Sequence, residues 1–267
     1  MDKTTPYYQT KSGILFNGDC AEIMKEFKDN SIDCCITSPP YDDLRHYKGY
    51  NFDFENIAKE LYRIIKKGGI VVWIVGDSII NGSETGTSFK QALYFKEIGF
   101  RLYDTMIYQK NGISYPSVNR YYQNFEYMFI LSKDKPKTIN LLRDRQNITY
   151  GRKRTGSNRQ KDGICKKNKM HIIQEYGIRY NVWKYEIGWQ KSYKEDFLKS
   201  HPAIFPYKLA EDHIKSWSNE GDVILDPLCG SGTTTISAEK LNRKWIGIEI
   251  NKEYCEIIKK RLNSFTL

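Results

Sequence analysis

Thr37-Ser38-Pro39-Pro40-Tyr41 follows directly on the apolar run Ile32-Asp33-Cys34-Cys35-Ile36. Proline fixes φ and gives up its backbone donor, so a double proline ends a strand and leaves carbonyls without a ladder partner. Those carbonyls can accept hydrogen bonds from a ligand. With Ser38 as a second acceptor and Tyr41 as a stacking face, the segment suits a flat heterocycle held by an exocyclic amino group, which describes a nucleobase pocket. A Pro-Pro turn beside a core tyrosine is the plainer reading of the same residues.

A second element lies far downstream. The apolar stretch Val223-Ile224-Leu225-Asp226 runs through Pro227-Leu228-Cys229 into Gly230-Ser231-Gly232 and then Thr233-Thr234-Thr235, with a helix-like stretch from Ile236 to Leu241. Glycines let a backbone approach a ligand closely, and the helix start that follows offers unpaired N–H groups. Lys244 to Asn251 then reads as a second strand whose end carries Glu249, about twenty residues on, where an acid would hold a ribose diol. No Gly-Lys-Ser/Thr follows the turn, so it is not a phosphate loop.

On these residues the chain resembles the DNA amino-methyltransferases. Asp226 to Thr234 looks like their S-adenosyl-L-methionine loop, and Thr-Ser-Pro-Pro-Tyr looks like their catalytic motif. Asn17-Gly18-Asp19-Cys20 and Asn30-Ser31-Ile32-Asp33 are similar to the family's lead-in to the catalytic strand, and His201 to Pro206 with Gly221-Asp222-Val223 to the helix beside the methionine moiety. The resemblance implies a Rossmann-like α/β methyltransferase sheet with helices on both faces, in the motif order of the β group. It implies S-adenosyl-L-methionine as cofactor, contacted by Asp19, Asp226, Leu228, Gly230, Gly232, Thr233, Thr234 and Glu249. Ser38, Pro39, Pro40 and Tyr41 are then catalytic. Double-stranded DNA is the implied partner, and a cognate restriction endonuclease and a second copy of the chain are further partners it admits.

Composition bears on that partner independently. The 267 residues, 40% of them hydrophobic, suffice for one well-buried α/β core with an inserted region. The formal net charge of +10 argues for a polyanionic partner, and from Arg143 to Met170 ten Lys and Arg stand against two Asp. Arg143, Arg145, Arg152, Lys153, Arg154, Arg159, Lys166 and Lys167 are the candidate DNA contacts, against the alternative of a solvated surface. The six cysteines form no Cys-x-x-Cys pair, so neither a zinc site nor a disulfide framework is expected. Adjacent Cys34 and Cys35 read as small core residues on opposite faces of a strand, in a reducing compartment. Without a long apolar run or a signal peptide, a cytoplasmic protein with no membrane partner is the expectation.

Elements must position these groups. The spacing predicts a helix from Phe54 to Ile65 ended by Lys67-Gly68-Gly69, a strand from Gly69 to Gly76, a helix from Ser88 to Ile98, strands at Leu102–Gln109 and Glu126–Leu131, and a helix from Tyr207 to Trp217. All-apolar strands alternating with helices imply a doubly wound sheet. Residues 1–132 are read as the catalytic half, 133–194, where periodicity is lost, as a target-recognition insert, and 195–267 as the cofactor half.

The chemistry such a site performs needs aim more than acid or base. An aromatic exocyclic amine has its lone pair delocalised into the ring, and acceptance of its protons by the Ser38 hydroxyl and the Pro39 carbonyl would turn that pair toward a methyl donor. Tyr41 would stack on a base flipped from the duplex. No cysteine follows a proline, which excludes a C5-cytosine mechanism. In the family it resembles, a serine heading the motif favours N4 of cytosine, with N6 of adenine the alternative. An RNA or protein-amide methyltransferase and an inactive nucleic-acid-binding module are the readings from other classes. His46 and His201 are read as structural, Tyr121, Tyr122 and Phe125 as core more than channel, and Asp42 and Asp43 as either tuning the pocket or facing water.

Overall fold

The computed structural model describes residues 5–40, 52–112, 118–187 and 206–264. In chain order the main sheet comprises β1 (Tyr8–Gln9), β2 (Gly13–Asn17), β3 (Ile32–Thr37), β4 (Ile65–Val75), β5 (Arg101–Lys110), β6 (Phe125–Ser132), β7 (Val182–Tyr185), β8 (Val223–Asp226) and β9 (Lys244–Glu249). They lie side by side as β1-β2-β9-β8-β3-β4-β6-β5-β7. The run from β2 to β4 is parallel throughout, whereas β6 pairs antiparallel with both β4 and β5.

Among the described residues six helices flank it: α1 (Cys20–Met24), α2 (Phe54–Ile64), α3 (Thr87–Glu97), α4 (Tyr207–Trp217), α5 (Thr233–Lys240) and α6 (Lys252–Asn263). In α2, Ile57, Ala58, Leu61 and Ile64 recur at helical spacing and are buried. They pack with Ile23 and Met24 of α1, Phe95 of α3 and Cys35, Val71, Trp73 and Phe129 of the sheet. On the other face α5 packs between α4 and α6. Side chains alternate along a strand, so Cys34 and Cys35 face opposite layers, both fully buried.

Several boundaries differ from the sequence expectation. Helix α2 stops at Ile64, and β4 starts at the next residue; Gly68 and Gly69 lie inside that strand. Gly68 takes φ +83°, and at Gly69 a Cβ would stand 2.7 Å from the Asp33 carbonyl oxygen, so the glycines allow a kink and a close strand approach. Helix α5 starts at Thr233, directly after the glycine turn. The short strand β7 pairs parallel with β5, inside the stretch where the sequence shows no period.

Residues 141–180 form a separate compact unit. It is a succession of short antiparallel pairings: Arg145–Gln146 with Tyr176–Gly177, Lys153–Arg154 with His171–Ile172, and Ser157–Arg159 with Cys165–Lys167.

Candidate active site

β2, β9, β8, β3 and β4 run in one direction, so their carboxyl ends share one edge. At that edge the chain winds in opposite directions from the β8–β3 boundary: β8 continues to β9 on one side, and β3 continues to β4 on the other. Crevices outside strand carboxyl ends at such a reversal are where open α/β sheets bind ligands. β3 delivers Ser38-Pro39-Pro40 to this boundary and β8 delivers the glycine turn.

One carboxylate joins the two. Asp226 ends β8, and its Oδ1 accepts from Thr37 Oγ1 at 2.8 Å and from the Leu228 N–H at 3.1 Å. Thr37 is the last residue of β3, so this bond fixes the start of the Pro-Pro segment against the start of the glycine turn. Thr234 adds a second tie, its hydroxyl donating to the Ile36 carbonyl at 3.3 Å. Burial pushes the Asp226 carboxyl up to about 6, against the lowering effect of its hydrogen bonds from Thr37, Thr234 and Leu228.

Gly230 and Gly232 both adopt positive φ, +53° and +80°. A Cβ on Gly232 would stand 2.8 Å from Ile258 Cγ1, and one on Gly247 would stand 2.7 Å from Cys229 Sγ, so both positions require glycine for the turn to lie against β9 and α6. Gly232 has no side chain to cap α5, which leaves the first N–H groups of that helix available to a ligand. Beside them the Thr233 hydroxyl is buried with no hydrogen-bond partner among the described residues. From behind, the buried guanidinium of Arg261 in α6 donates to the Ser231 carbonyl and to the Tyr207 hydroxyl, holding the turn to the N-terminus of α4. Sequence reading missed Arg261, because Lys-Lys-Arg on an amphipathic helix reads as a solvated face.

Glu249 closes β9 on the opposite side of the turn. Its Oε2 accepts from the Gly230 N–H at 2.7 Å and its Oε1 from the Asn251 N–H at 2.8 Å. Burial raises its carboxyl to about 7. Each oxygen keeps a lone pair for a further donor. Asp19 stands at the neighbouring end of β2, exposed, where one oxygen caps α1 through the Glu22 N–H at 3.1 Å.

A family model described as DNA methylase matches residues 32–260. The chain belongs to that family, the N6-adenine and N4-cytosine class. M.BamHII, an orphan methyltransferase of Bacillus amyloliquefaciens, is 58% identical and covers 91% of this chain and 94% of its own. M.HpaI, a type II methyltransferase of Haemophilus parainfluenzae, is 31% identical over 94% of this chain and 74% of its own. Among solved structures, the cytosine-N4-specific PvuII DNA methyltransferase superposes with a TM-score of 0.70 at 23% identity, covering 96% of this chain and 88% of that one. The M1.HpyAVI–SAM complex superposes with a TM-score of 0.61 at 24% identity, over 93% and 98%.

In this DNA methylase the described members of the Pro-Pro segment and the glycine turn, together with Asp19 and Glu249, thus stand along one strand edge. Tyr41, Asp42, Asp43, His46 and His201 lie outside the described residues. Tyr121 and Tyr122 are not core: both are exposed, in the unpaired stretch before β6. β6 runs antiparallel to β4, with Tyr127 opposite Val75, so this stretch lies at the same edge as Ser38. Of the basic candidates, Arg145 is partly buried, and Arg143, Arg152, Lys153, Arg154, Arg159, Lys166 and Lys167 are exposed. Among the described residues no helix is long and apolar enough to cross a membrane.

Proposed function

We propose that the protein transfers a methyl group from S-adenosyl-L-methionine to the exocyclic amine of a base in double-stranded DNA, N4 of cytosine being the favoured position and N6 of adenine the alternative. The Thr37–Asp226 hydrogen bond is the observation that carries this reading, since it locks an amine-accepting segment against a cofactor-shaped turn at the sheet's reversal point.

The residues fit the cofactor. Glu249 takes the ribose hydroxyls, Asp19 the adenine, and the Leu228 to Gly232 turn with Thr233 the methionine end, where the orphaned Thr233 hydroxyl finds a partner. Asp226 and Thr234 act as the ties that set the two motifs at a fixed distance. S-adenosyl-L-methionine supplies an electrophilic methyl on a sulfonium that is its own leaving group. The chain supplies aim: the Ser38 hydroxyl and Pro39 carbonyl accept the two amine protons, which draws the nitrogen lone pair out of ring conjugation and toward the methyl. Such positioning contributes at most about 7–11 kcal/mol. Tyr41 stacks on the flipped base, and at about 1–3 kcal/mol stacking offsets much of the flipping cost.

Ser38 heading the segment motivates the cytosine assignment. The modification role carries no commitment to a cognate endonuclease, as the 58% identical relative is itself called an orphan methyltransferase. Digestion of methylated DNA to nucleosides and mass spectrometry test the proposal. N4-methylcytosine is expected, N6-methyladenine would overturn the base assignment alone, and 5-methylcytosine would overturn the mechanism.

A further inference from the structure

Residues 141–180 carry eleven Lys and Arg against three acids, so most of the chain's net positive charge lies on a seventh of its length. The unit has little core of its own: Ile148, Tyr150, Ile164, Met170, Ile172 and Tyr180 are all more than half exposed. From the Gly151 N–H on the Ile173 carbonyl to the Gln160 N–H on the Ile164 carbonyl, two strands run side by side and turn at Lys161-Asp162-Gly163. Ten residues at about 3.3 Å each give a ribbon about 30 Å long.

The major groove of B-DNA, about 12 Å wide, admits a two-stranded ribbon, whereas the major groove of A-form RNA is too narrow to be read. The geometry points to the distal ribbon, residues 157–167, entering the major groove with one face toward the base edges. The inference rests on the reading that DNA is the substrate, and extends it to how sequence is chosen.

The register separates the two faces. Asn158 lies opposite Lys166, and Ser157–Lys167 and Arg159–Cys165 share the other side. Asn168 belongs with Asn158, to which its amide donates at 3.4 Å, and the two-residue period adds Gln160. The first face therefore gathers three amides and a lysine. An amide presents donor and acceptor in one plane, matching N6 and N7 of adenine, and lysine matches O6 and N7 of guanine. On the second face Arg159 already spends its Nε on the Gly163 carbonyl at 3.2 Å. Arg152, Lys153 and Arg154, nearer the root, carry charge without amides and suit phosphates.

The test uses the full chain. Mixed genomic DNA is methylated in vitro and the modified positions are mapped. The wild type should mark one short sequence, and N158A/Q160A/N168A should mark several related ones, with roughly a tenfold or greater loss of preference. Its salt dependence of duplex binding should match the wild type, whereas R152A/K153A/R154A should lower that slope by about 0.9 for each phosphate no longer neutralised. An unchanged preference in the amide variant overturns the proposal. Duplexes carrying 7-deazaadenine, which lacks the N7 acceptor that the amides pair with, should bind the wild type more weakly and the amide variant no more weakly than ordinary DNA. Equal wild-type binding to both, displacement by the minor-groove ligand netropsin, or preference for duplex RNA overturns it. A wild type that discriminates against 7-deazaadenine duplexes yet transfers no methyl group sustains the ribbon and overturns the functional reading.

Discussion

Glu249 offers the sharpest quantitative test, because two backbone N–H bonds hold a carboxylate that burial raises from 4.5 to about 7. The folded-state value lies above the unfolded one, so the folded protein binds this proton more tightly. The corresponding stability is fully present below the unfolded pKa near 4.5 and is lost as pH rises through about 7. At about 1.4 kcal/mol per unit the loss amounts to about 3 kcal/mol. In Glu249→Gln nothing titrates, and the carboxamide nitrogen must face either the Gly230 or the Asn251 N–H, leaving it unpaired at a cost of about 1–3 kcal/mol. Without cofactor the variant should therefore be the less stable protein near pH 5. Near pH 8.5 it should match or exceed the wild type, the difference having moved by about 2.5 kcal/mol in its favour. Urea unfolding at the two pH values reads this directly, and a difference that does not change with pH refutes the burial argument. The same carboxylate accepting ribose hydroxyls should release a proton as cofactor binds near neutral pH. Calorimetry in buffers of different ionisation enthalpy would detect it.

Three further outcomes are expected. Ser38→Ala should reduce kcat at least tenfold while leaving the KM for DNA and the cofactor Kd within about twofold, since the lost acceptor matters most in the transition state; a change confined to KM would remove its catalytic role. Asp226→Ala should cost about 2–5 kcal/mol, as it orphans the Thr37 hydroxyl and the Leu228 N–H, whereas Asp226→Asn keeps an oxygen for both and should retain most of the stability; equal losses in the two variants would show that charge rather than geometry matters there. Gly232→Ala should lose about 2–4 kcal/mol from its left-handed φ and the close approach of Ile258, and a wild-type denaturation midpoint would contradict the turn as described.

The two motifs were legible because each announces itself locally: an apolar strand stopped by proline, and an apolar strand broken by glycines ahead of a helix. Their meeting was legible only through family resemblance, because the Thr37–Asp226 bond joins positions 189 apart, and no local pattern encodes register at that range. β7 escaped because four residues, alternately exposed and buried, are too few to establish a period. The ribbon escaped for the opposite reason. Both its faces meet solvent, so its polar sequence carries no alternation of burial to betray a strand. The three threonines after Gly232 obscured the true start of α5, since β-branched residues favour strands, yet here their side chains are buried at the helix entry.

The Thr37–Asp226 bond also sets a timetable. During synthesis β3 emerges early, and its partner β8 lies some 190 residues behind. At about 5–20 residues per second that interval is about 10–40 s, during which an all-but-apolar strand has one open edge and α1 has an incomplete sheet to pack on. The nascent chain is thus exposed to mispairing for most of its time on the ribosome. It is also inert, because neither the acceptor segment nor the glycine turn is fixed in place until both ends of the chain exist. An incomplete copy released early would lack the edge where the two motifs meet, so premature termination should yield a chaperone client and never an enzyme of relaxed specificity.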